Sequence, residues 1–72
     1  MERNISLDWP AIVKEAVRRR KEQRLTQKHL AALADVSMPT VNRFERQDKN
    51  ITLKSSFAIL KTLNLLNIHE PI

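Results

Sequence analysis

Glycine and cysteine are both absent from these 72 residues, and so is tyrosine. Without glycine the chain has no phosphate-cradling loop of the glycine-rich kind, and any turn that needs a positive φ must hold another residue there. Without cysteine it has neither a disulfide framework nor a thiolate metal site. The two histidines, His29 and His69, are too far apart in sequence to suggest a ligand cluster, and each reads as a surface residue. No metal and no other cofactor is expected. Nor do Ser, Asp and Glu fall into an arrangement suited to nucleophilic or general acid–base chemistry, so the chain is read as no enzyme.

Large apolar features are scarce too. One Trp and two Phe among 42% hydrophobic residues call for an aliphatic core, which suits a small helical bundle. No apolar run approaches the roughly 18 residues that span a bilayer, so no membrane partner is expected. The opening MERNISLDWP lacks the basic-then-apolar layout of a signal peptide, which makes the cytoplasm the expected compartment.

What the chain does have is positive charge. A net charge of +5 and a pI near 10.3 favour an anionic partner such as nucleic acid. The length corresponds to one domain, residues 1–72, and a chain this short buries only about 60% of the surface its unfolded form exposes. Modest stability follows, and dimerisation would raise it.

Apolar spacing predicts an all-α fold of four helices. The first runs from residue 8 or 9 to about 23, with Pro10 in its opening turn, where a missing amide does no harm. Its inward stripe is Ile12, Val13, Ala16 and Val17, continued by Arg20. The second covers 27–34 and the third 38 to about 47, followed by the polar loop QDKN. Thr52 caps the fourth, over 53 to about 63, whose inward stripe is Leu53, Phe57, Leu60 and Leu63. The tail, 64–72, is short for a fifth helix, and reads either as a strand whose bare edge would pair with the same strand of a two-fold mate or as a frayed end. In the strand reading Leu65, Leu66 and Ile68 are the dimer-interface residues.

Between the second and third helices lies the informative segment, LTQKHLAALADVSMPTVNRFE. Thr26 and Ser37 each precede an apolar-periodic run and can offer a hydroxyl to an orphan first-turn amide. Each is bracketed by a hydrophobic staple, Leu25 with Leu30 and Val36 with Val41. Leu30, Ala31, Ala34, Val36, Val41 and Phe44 fall where two steeply crossing helices meet, and Ala31 is small where backbones approach most closely. Two short helices joined by a tight turn over 26–46 are the signature of a DNA-reading helix-turn-helix.

With Val41 and Phe44 inward, Met38, Pro39, Asn42, Arg43 and Arg46 turn outward along one stripe of the third helix. Arg43 is the best candidate for base readout, since a guanidinium bonds guanine O6 and N7 together, and Asn42 could pair with adenine N6 and N7. Met38 and Pro39 offer apolar surface for a thymine methyl. Pro39 has no amide, so Ser37 must cap onto Thr40. Phosphate contacts are expected from Gln27 at the positive end of the second helix, from Lys28, Ser37, Thr40 and Arg46, and from Lys49 and Asn50 in the following loop. The remaining basic run, Arg18, Arg19, Lys21 and Arg24, cannot all face one way on a helix and reads as a solvated outer face.

Gln27, Ala31, Val36, Ser37, Val41 and Glu45 match the pattern of the Cro-type phage-repressor helix-turn-helix family (XRE-like), which the chain resembles from about residue 13 to 65. The later stretch FERQDKNITLKSSFAILKTLNLL is similar to the HipB-type antitoxins, a branch that represses its own operon and binds a kinase-like toxin. The resemblance implies a salt bridge between Arg20 and Glu45 that locks the third helix to the first, and it implies a dimer strand after the fourth helix. Arg24 and Asp35 occupy turn positions where the family often has Gly, so those turns are expected to be strained by roughly 1 kcal/mol each.

The leading expectation is a homodimeric repressor whose two recognition helices enter major grooves of double-stranded DNA roughly 34 Å apart. The alternative is an antitoxin that binds a kinase-like toxin and uses DNA binding for autoregulation. A helix-turn-helix used only to bind proteins is the third reading, and the outward arginines argue against it.

Overall fold

An Asp8 carboxylate that accepts a hydrogen bond from the amide of Ala11 at 3.1 Å begins the first helix, α1 (Trp9–Glu22). The computed structural model describes residues 8–66, and in that span it has four helices and no strand. α2 (Gln27–Ala34), α3 (Met38–Glu45) and α4 (Leu53–Thr62) each start on a hydroxyl cap. Thr26 accepts from the amide of His29 at 3.0 Å, Ser37 from Thr40 at 3.2 Å and Thr52 from Ser55 at 3.1 Å. Each cap satisfies one of the amides that a helix start leaves without an acceptor.

The ends are as regular as the starts. Arg24, Asp35, Gln47 and Asn64 each adopt a left-handed conformation, with φ of 59°, 57°, 60° and 59°. Beyond each, the next residue's amide reaches back across the last turn: Leu25 to the Arg20 carbonyl, Val36 to Ala31, Asp48 to Arg43 and Leu65 to Leu60. This is the Schellman arrangement, which usually recruits glycine. A chain without glycine closes all four helices with it, at a strain of roughly 1 kcal/mol per site. The expected strain at Arg24 and Asp35 thus has two further instances.

Val13 and Ala16 of α1, Leu30, Ala31 and Ala34 of α2, Val41 and Phe44 of α3, and Ile59, Leu60 and Leu63 form one buried cluster. Leu25 and Val36, the outer halves of the two staples, pack partly buried against it. α2 and α3 form the most closely packed pair, α2 also rests on α4, and α1 lies against α3.

Two expectations are corrected. α3 stops at Glu45, short of residue 47, because Arg46 ends the helical geometry and Gln47 turns left-handed. On α4 the inward row is Ser56, Ile59, Leu60 and Leu63, while Leu53 and Phe57 are 65% and 42% exposed. A serine in the buried row hides it from a hydropathy pattern, and Leu53, Phe57 and Leu60 offer a competing stripe of the same period.

The arginine run also divides. Successive helical positions lie about 100° apart, and although Arg18 and Arg19 both lie within 4 Å of the Glu15 carboxylate, their other partners differ. Arg18 bonds Glu15 and Glu22 on its own helix, at 2.7 and 2.6 Å. Arg19 donates to the carbonyls of Leu63 and Asn64 at 3.3 and 3.5 Å, covering the open end of α4. Arg20 turns to α3. The solvated reading therefore holds for Lys21 and Arg24, which are exposed, and fails for Arg19. Leu65 and Leu66 pack partly against the core of their own chain. Ile68, His69 and the rest of the expected tail strand lie outside the described residues.

Candidate nucleic-acid interface

α3 presents a face set by its buried side. Val41 and Phe44 are 0% and 1% exposed, which leaves Met38, Pro39, Arg43 and Arg46 exposed, with Asn42 and Thr40 half-buried between them. Ser37 Oγ serves both the Thr40 amide and, at 2.7 Å, the Thr40 hydroxyl, so the first turn is tied down even though Pro39 donates nothing.

The single carboxylate of α3 is withdrawn from that face. Arg20 Nε donates to Glu45 Oε2 at 2.6 Å and Nη2 to Oε1 at 3.1 Å, a two-pronged pair with side chains only 12% and 9% exposed. The remaining Nη1 donates to the Leu25 carbonyl at 2.8 Å, so one guanidinium joins α1, the turn before α2, and α3. Bidentate geometry of this kind fixes orientation as well as adding energy. Among the described residues neither Arg43 nor Arg46 has a carboxylate partner. The outer face of α3 is therefore cationic and apolar, with no negative charge of its own.

Gln27, expected at a phosphate, has its side chain bonded within the protein. Its Nε2 donates to Glu45 Oε1 at 2.8 Å and its Oε1 accepts from Asn42 Nδ2 at 3.4 Å. The side-chain amide is engaged at both ends, and the backbone amides of Gln27 and Lys28 remain as the donors without helical acceptors at that helix start. Lys28 is exposed beside them.

A small groove of about 160 Å³ brings Thr40, Arg43 and Asn50 together with Thr52 and Ser55. The Asn50 amide is itself bonded to Asp48 Oδ1 at 2.8 Å, which shapes the loop. Lys49 lines a different groove, with Trp9 and Leu53. A further groove joins Ser37 and Thr40 to Lys54 and Ser55. Lys54, Thr52 and Ser55 at the start of α4 thus border the same grooves as Thr40 and Arg43, a juxtaposition that the sequence pattern did not single out although the Thr52 cap was visible.

These features together describe a third helix buttressed from behind by the Arg20–Glu45 pair, and the family comparison reaches the same unit. The Helix-turn-helix family model matches residues 18–70. The chain belongs to the Helix-turn-helix family. This XRE-like family consists of DNA-binding transcription regulators and is typically non-enzymatic. The match covers the Arg20–Glu45 pair, all three hydroxyl caps and α4, and does not single out the HipB-type branch. No curated protein matches the chain significantly. Among the described residues no helix is long and apolar enough to cross a membrane.

Proposed function

We propose that this Helix-turn-helix protein is a sequence-specific repressor that binds a pseudo-palindromic operator as a homodimer. The observation that carries this reading is the charge of α3: its one acid is held inward by Arg20, while Arg43 and Arg46 are exposed with no carboxylate partner among the described residues. Arg43 reads guanine, Asn42 an adjacent base, and Met38 with Pro39 contacts a thymine methyl. Lys28, Ser37, Thr40, Arg46, Lys49 and Asn50, with the backbone amides at the start of α2, hold phosphates and set register without reading sequence. Leu65, Leu66 and Ile68 contribute to the two-fold contact, which spaces the two reading helices by roughly one helical turn of DNA, about 34 Å.

Selection of binding sites from random duplex DNA at near-physiological salt, with Arg43→Ala in parallel, tests this. The expected result is a two-fold symmetric site whose guanine preference relaxes in the variant. Enrichment of no sequence, with salt-sensitive background binding alone, would overturn the repressor reading and favour an antitoxin whose essential partner is a toxin, to be sought by co-purification.

A further inference from the structure

We infer that Gln27 is a positioning residue for base readout, because it dictates which edge of the Asn42 amide faces outward. The inference rests on the reading of α3 as the recognition helix. It starts at Arg20, whose guanidinium can only donate, and passes to Glu45, whose carboxylate can only accept. Gln27 must therefore offer its NH2 to Glu45 Oε1, and does so at 2.8 Å. An amide is planar with its two ends fixed opposite, so Gln27 Oε1 is left facing Asn42. Asn42 must answer with Nδ2, at 3.4 Å. Turning Asn42 over would set two acceptor oxygens against each other. Turning Gln27 over as well would aim its oxygen at the Glu45 carboxylate.

The polarity of the buried ion pair is thus transmitted through two neutral amides to the surface. Asn42 keeps Oδ1 and its second Nδ2 hydrogen for the groove, one acceptor and one donor side by side. That pair complements the N6 donor and N7 acceptor of adenine. Gln27 touches no base in this arrangement and acts through Asn42.

The test compares sites selected from random duplex DNA by the intact chain, Gln27→Ala, Asn42→Ala and the double variant, each checked for folding by circular dichroism. Both single variants should relax an adenine preference at the same base pair, by roughly tenfold, and the double variant should relax it no further. In the DNA-free protein, Gln27→Ala should also shift the Asn42 side-chain amide resonances in a 15N–1H spectrum. A Gln27→Ala variant that weakens all sequences equally with its base preference intact would overturn the inference, as would unmoved Asn42 resonances. Failure of the intact chain to enrich any sequence would instead overturn the repressor reading on which it stands.

Discussion

The indole of Trp9 meets the ring of Phe44 edge to face, with centroids 5.8 Å apart and planes at 87°. One residue opens α1 and the other lies near the end of α3, so the contact closes the core at the end of α1 opposite to Arg20. Phe44→Ala should cost about 3–5 kcal/mol, against a total of roughly 4–10 kcal/mol for a chain of this length. Urea unfolding followed by the single tryptophan's fluorescence would measure it, and Phe44→Leu should lose less than half as much.

Arg20 and Glu45 lend themselves to a double-mutant cycle. Arg20→Met leaves a nearly buried carboxylate without its cation and should destabilise by about 3–5 kcal/mol. Arg20→Met with Glu45→Leu should recover much of that loss while DNA binding stays weak, since the apolar pair fills space without fixing the angle of α3. Restored binding in the double variant would show that orientation does not depend on the ion pair.

The four left-handed helix ends offer a route to higher stability. Arg24→Gly and Gln47→Gly should each raise it by roughly 0.5–1 kcal/mol, the relief of strain being partly offset by the greater freedom of glycine in the unfolded chain. Asp35→Gly and Asn64→Gly should gain less, because these side chains tolerate the left-handed region better. Thermal unfolding of the four variants would rank them.

On the outer face of α1, the hydrogen bonds from Arg18 hold the Glu15 carboxyl below its ordinary value of 4.5, with Arg19 adding to the effect. A lowered carboxylate stabilises the fold above its unfolded value and loses that contribution as pH falls through the lower, folded one. The window is therefore acid, below about pH 4.5. NMR titration should find Glu15 low in the intact chain and closer to ordinary in Arg18→Ala, with little change in stability at neutral pH because the pair is exposed.

Lys28 and Arg43 should separate in DNA binding. Lys28→Ala should weaken every sequence alike and lower the salt slope by about 1, whereas Arg43→Ala should flatten the preference at one position. Competition titrations at several salt concentrations would distinguish them.

How much of this could be read from the sequence depended on whether a residue's task was local. Thr26, Ser37 and Thr52 announce helix starts within one turn of themselves, and the bounds of α2 follow from Thr26 and Asp35 alone. The inward row of α4 depends on what α4 packs against, and Ser56 conceals it. Arg19 is chemically identical to its neighbours, so its bond to the end of α4 needs the fold to be seen. Gln47 and Asn64 carry no glycine signal, yet they occupy the same backbone state as Arg24 and Asp35. The Gln27 side chain was legible as a helix-start residue but not as part of a hydrogen-bonded chain, because its partners are 18 and 15 residues away.

The three consecutive arginines of α1 have a consequence for how this chain can vary. Each is useful only at its own angle around the helix, so inserting or deleting one residue between Val13 and Arg18 would swing all three by about 100° against the buried stripe. The clamp on α3 and the cover on α4 would be lost together, even though no arginine had been removed. The length of α1 is thus under as tight a constraint as its composition, and a substitution there is tolerated more readily than a shift of frame along the helix.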